Sequence, residues 1–159
     1  MATRPPARLD GLRGAPPVTL DAEAVAGDAL GSEGLAELLE EAGFVTASER
    51  TYVGAGAAIR RVVVRVVRFS SPAGAERYLS WLRSHASEVI GDATAVPWDV
   101  GSAFVHEPGG CCPKEQPSLL AAWRLGPEVV RVIAAGPGAD GPEGRALLRE
   151  LRSLLAPGP

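Results

Sequence analysis

Two adjacent cysteines, Cys111 and Cys112, sit in a loop rich in glycine and proline, five residues beyond His106. Adjacent thiols can close a strained vicinal disulfide, hold a soft metal ion or serve as a redox pair. His106 is the nitrogen ligand nearest to them in the chain, and Glu107 adds a carboxylate. A closed zinc module spaces its first two cysteines by about two to four residues and repeats the pair. This chain has 2 cysteines in all, so four ligands would require His85 or a carboxylate. The plainer reading is a disulfide or an inert pair, because a free cysteine often packs as a small hydrophobe. The expectation is therefore no cofactor, with a soft metal ion at His106, Cys111 and Cys112 as the alternative.

Arginine is the other chemically capable residue. Lys114 is the single lysine among the 16 basic residues, and asparagine is absent, which is the signature of a G+C-rich coding bias. An arginine fork still grips carboxylates or phosphates in a plane. Arg61, Arg65, Arg124 and Arg131 all fall on predicted strands; if those strands are neighbours, the four can converge as an anion-binding patch. Against this stands a solvated sheet face on which they pair with Glu49, Glu128 and other carboxylates. His85 falls near a predicted helix end, where an imidazolium suits the dipole. The stretch Gly-Pro-Gly-Ala-Asp-Gly over 136–141 lies between a predicted strand and helix, as an anion site at a helix N-terminus would. Asp140 opposes a phosphate there and Pro142 lacks an N–H, so loop plus helix cap is the better reading. No nucleophile elbow, H-E-x-x-H or phosphate-binding loop occurs. The sequence names no reaction, and enzymatic activity is not expected.

These residues need elements to position them. Residues 59–69, Ile-Arg-Arg-Val-Val-Val-Arg-Val-Val-Arg-Phe, read as the central strand of a sheet. Val62, Val64 and Val66 share one face, while Arg61, Val63, Arg65, Val67 and Phe69 share the other. Valine is stiff at χ1 and suits a pleated surface, and two apolar faces require cover on both. A helix over 32–42 is capped by Ser32 and ended by Gly43; strands follow over 46–53 and 59–69. Ser71 caps a helix whose first residue is Pro72. Further strands are predicted over 101–106, 119–125 and 129–135, the last two joined by a turn at Gly126-Pro127 wider than a tight hairpin. Asp140 and Glu143 open a last helix in which Leu147, Leu148, Leu151, Leu154 and Leu155 form a continuous stripe. Trp81, Trp98 and Trp123 are packing residues. The predicted fold is α+β: a mainly antiparallel five-stranded sheet packed with three helices, in the order α-β-β-α-β-β-β-α.

The 159 residues, 46% hydrophobic, suit one domain over 18–156, preceded by a disordered, proline-rich arm over 1–17. A net charge of −3 gives no reason to expect nucleic acid as a partner, since that needs a concentrated basic surface. No stretch approaches the roughly 20 apolar residues of a membrane-spanning helix. The hairpin into a valine-arginine strand, the junction Arg-Phe-Ser-Ser-Pro-Ala-Gly-Ala-Glu-Arg-Tyr-Leu-Ser-Trp-Leu over 68–82, and the late strand pair before a leucine-rich helix give an order of elements with precedent. Over about residues 32–156 it resembles small exported domains of high-G+C bacteria, many of them lipoproteins or receptor-kinase sensor domains with a PsbP-like α/β sandwich. The resemblance carries over no site residue. It implies a location outside the cytoplasm. A complete core pattern without an assembled catalytic constellation points to a non-catalytic, sensor-like module, binding a small anionic ligand at the arginines or a protein partner. The alternatives are a thiol-based metal or redox protein at Cys111-Cys112 and a cytoplasmic location. A third possibility is a subunit whose helix stripe completes a partner's core.

Overall fold

The computed structural model describes residues 2–27, 34–54, 57–98, 101–108 and 116–157. Its interior is built on the valine strand Arg61–Phe69, whose alternating side chains feed two separate cores. In chain order the described residues form β1 (Arg13–Gly14), β2 (Val18–Leu20), α1 (Ala22–Ala26), α2 (Leu35–Glu41), β3 (Phe44–Val53), β4 (Arg61–Phe69), α3 (Pro72–Ser84) and α4 (Ala86–Ile90). Then come β5 (Thr94–Val96), β6 (Ser102–His106), β7 (Ser118–Leu125), β8 (Glu128–Ala135) and α5 (Pro142–Leu154). The sheet order is β1-β3-β4-β8-β7-β6-β5, with β2 beside β1 on β3, and every pairing is antiparallel.

Both faces of the sheet are covered. Val62, Val64 and Val66 of β4 join Val130 and Val132 of β8 beneath Leu147, Leu148 and Leu151 of α5. On the opposite face Val67 and Phe69 meet Leu39 of α2 and Tyr78, Leu79 and Leu82 of α3. Helix α3 starts as its sequence dictates: the Ser71 hydroxyl accepts from Gly74 N–H at 3.1 Å with Pro72 in the first turn. Gly43 ends the preceding helix at φ 79°, a conformation that glycine takes at no steric cost.

The described residues hold an eight-stranded sheet and five helices, which replaces the predicted five strands and three helices. The unpredicted strands β1, β2 and β5 are 2 or 3 residues long, too short to show a period of two, and exist because a longer neighbour offers its backbone. The unpredicted helices α1 and α4 have 5 residues each; Asp21 caps the first, accepting from Ala24 N–H at 2.8 Å. The turn at Gly126-Pro127 is tighter than predicted, with Leu125 paired directly to Glu128. Gly126 at φ 59° followed by proline's fixed negative φ is the pattern of a two-residue II′ hairpin. Gly141, not Asp140, caps α5, and no side chain bonds there. Ser32 lies outside the described residues.

The proline-rich arm is ordered against the sheet, contrary to the disorder its composition suggests. Leu9 is only 4% exposed. Thr3 N–H donates to Glu128 at 3.0 Å, and Pro6 C=O accepts from the Tyr52 hydroxyl and from Arg50 Nη1 at 3.1 Å. Prolines already hold an extended φ and leave few N–H groups to satisfy, so two leucines and a few anchors suffice to hold the arm.

Candidate functional site

Strand register settles which predicted residues meet. On the α3 side of the sheet, Glu49, Arg65, Arg131, Ala122 and Ser102 form one transverse row across β3, β4, β8, β7 and β6. Directly opposite residues of antiparallel strands share a face about 5 Å apart, so Arg65 and Arg131 are neighbours. Both are buried, at 2% and 3% exposure. Glu49 Oε2 receives Arg65 Nε at 2.7 Å and Nη2 at 2.6 Å, and lies 3.8 Å from Arg131 Nη2. One carboxylate thus serves two guanidinium groups, and the low dielectric around them makes each contact stronger than at a surface.

The other two arginines stand apart on the same face. Arg124 lies one row nearer the helices, where Nε is 3.5 Å from Glu76 of α3; Arg83 reaches that carboxylate too, at 3.2 Å, and donates to Ser102 Oγ at 2.7 Å. This cluster straps α3 to the sheet. Arg61 lies two rows in the other direction, roughly 13 Å along β4 from Arg65 at a strand rise of about 3.3 Å per residue. It is exposed and makes no ion pair among the described residues. Glu128 is a partner of none of the four, because it faces the α5 side, where it is 3.6 Å from Arg68.

Between Arg65 and Arg61 the helical cover stops short. The intervening row is Thr51, Val63, Ile133, Leu120 and Phe104, in which Val63, Ile133 and Phe104 are partly exposed and Leu120, between the last two, is buried. The next row is Val53, Arg61, Ala135, Ser118 and His106, with Val53 53% exposed. The result is an apolar strip of sheet ending at one reachable cation. Its signal in the sequence was the apolar character of the arginine-bearing face of β4; the helical cover over that face is a tertiary property that no local pattern encodes.

His106 Nδ1 lies 3.2 Å from Asp92 C=O, which fixes Nδ1 as the donor in that contact. Cys111 and Cys112 lie outside the described residues, so their placement relative to His106 is not part of this geometry. Among the described residues no group of His, Cys, Asp and Glu is arranged to hold a metal. His85 ends α3, as expected; its ring stacks on Trp81 at 4.4 Å, with Nδ1 2.8 Å from Trp81 C=O. No helix among the described residues is long and apolar enough to cross a membrane.

No family model matches the chain, and no curated protein matches its sequence. Its fold is similar to that of the extracellular domain of PknH from Mycobacterium tuberculosis. The TM-score is 0.52 over 87% of this chain and 83% of that chain, at 13% sequence identity. At such identity the likeness is one of fold. It carries no residue across.

Proposed function

We propose that the protein is a non-catalytic, sensor-like binding module that works outside the cytoplasm, and that its binding surface is the uncovered strip of the sheet ending at Arg61. The observation that carries this reading is the pair of partly exposed neighbours Val63 and Ile133, with Phe104 partly exposed beyond the buried Leu120, beside an exposed arginine with no ion-pair partner among the described residues. Apolar surface next to a cation suits a small ligand with an apolar body and an anionic head, and Arg61 supplies the fork for a carboxylate or phosphate. Arg65, Arg131 and Glu49 form the buried floor that fixes the strip's inner end, and Arg124 holds α3 in place. Likeness of fold to an extracellular domain supports the location.

The test is titration calorimetry against short-chain carboxylates and alkyl phosphates. Arg61→Glu should weaken binding at least tenfold and leave the melting temperature within about 2 °C, because Arg61 is exposed. Unchanged binding in that variant would remove the strip from consideration. Turnover of any panel member, abolished by one substitution, would overturn the non-catalytic reading.

A further inference from the structure

The opposite face of the molecule carries a groove of different chemistry. It has a volume of about 630 Å³ and runs between the turn of the arm at Asp10–Leu12, the segment before β4, and one side of α5. That size falls within the roughly 300–1,000 Å³ of small-molecule sites. Leu12, Ile59 and Leu147 supply an apolar floor, while Asp10, Glu143 and Glu150 stand around it. No arginine, lysine or histidine lines it among the described residues, and none of the three carboxylates belongs to an ion pair there.

Helix α5 segregates its charges to produce this. Glu143, Ala146, Leu147 and Glu150 recur at helical spacing on the groove side. Arg145 and Arg152 lie elsewhere on the helix, with guanidinium carbons 5.8 Å and 5.6 Å from the ring centres of Trp98 and Trp123. The arm's Arg8 and Arg13 line an adjoining recess, which shares Gly11 and Leu12 with the groove, and not the groove itself. Glu150 also accepts from Asp10 N–H at 3.0 Å, so the carboxylate that faces the groove fixes its far wall.

We propose that this groove binds an amphiphilic organic cation of the alkylammonium class, its chain on the Leu12, Ile59 and Leu147 floor and its ammonium among Asp10, Glu143 and Glu150. The site is distinct from the Arg61 strip and does not depend on it. Calorimetry at low ionic strength with octylammonium, octanol and octanoate, equal in chain length and different in charge, separates the causes. Octylammonium should bind at least tenfold more tightly than either of the others, and 300 mM salt should weaken it. Glu143→Gln with Glu150→Gln should lower octylammonium affinity about tenfold while the fold persists, since glutamine retains the oxygen that accepts from Asp10. Ala146→Trp, which fills the groove from an exposed position, should abolish binding with the melting temperature unchanged. Equal binding of octanol would reduce the groove to bare apolar surface and overturn the proposal. So would absence of octylammonium binding, even if a lysine-rich peptide bound instead. Neither glutamine change should alter binding of an anionic ligand at Arg61.

Discussion

Tyr52 shows how one buried hydroxyl joins the arm to the sheet. Its side chain is fully buried and donates to Pro6 C=O, and burial pushes its pKa up to about 12, against a smaller opposing pull from Arg50. A phenol with a raised folded-state pKa contributes stability that is intact below its ordinary value near 10 and is lost as pH climbs toward 12. The free-energy difference between wild type and Tyr52→Phe in urea unfolding should therefore be constant up to pH 10 and change by roughly 2 kcal/mol by pH 12. A difference that stays flat through pH 12 would contradict the burial. At the other face, Glu49→Gln weakens the contacts to Arg65 and Arg131 at a buried site. We expect a loss of about 2 to 3 kcal/mol in the same assay, well above the value of an exposed pair. The sequence made both arginines legible as strand residues and Glu49 as a carboxylate within reach. Burial was not legible, since nothing local distinguishes Arg65, nearly inaccessible, from Arg61, four residues away on the same strand and exposed.

Elements with a full period were readable, and those without were not. Helix α3 announced its cap and its proline, and the structure has both. The three short strands and two 5-residue helices carried no periodic signal, because each depends on a neighbour. Local propensity also misleads at Gly74 in the first turn of α3. Alanine is normally about 1 kcal/mol better than glycine within a helix. Here an added Cβ would lie 1.9 Å from Ala42 C=O, where α2 crosses α3, and backbone on both sides cannot yield. Steric conflict outweighs propensity, so Gly74→Ala should lower stability by about 2 kcal/mol or more, read from the chemical-denaturation midpoint. A stabilised variant would mean the two helices stand further apart.

At the scale of the molecule, the order of elements was informative enough to suggest an antiparallel sheet packed with helices, while the number of strands and the fate of the arm were hidden in tertiary contacts. Composition alone assigned residues 1–17 to disorder because prolines and arginines outnumber apolar residues there. Burial of Leu9, in company with Tyr52, Ile59 and Leu155 in one core, decides otherwise. Leu9→Ala should cost about 2 to 3 kcal/mol and should render the arm sensitive to trypsin at Arg8 and Arg13 under native conditions. Loss of stability without new cleavage would place the effect in the core rather than in release of the arm.

The arm also decides what the sheet shows to other chains. Strand β3 is 10 residues long, and only β1 and β2 lie beyond it, 2 and 3 residues long, separated by a break containing Pro16 and Pro17, which have no N–H to donate. The far side ends in β5, 3 residues followed by Pro97. Among the described residues the sheet therefore presents only short, interrupted ladders of unpaired backbone, and a second copy finds little to extend. Removal of residues 2–20 would leave β3 bare along its whole length, turning a closed margin into a template for strand addition. Light scattering of that truncation should rise with protein concentration while the intact chain stays flat, making the arm a guard against polymerisation as much as a part of the core.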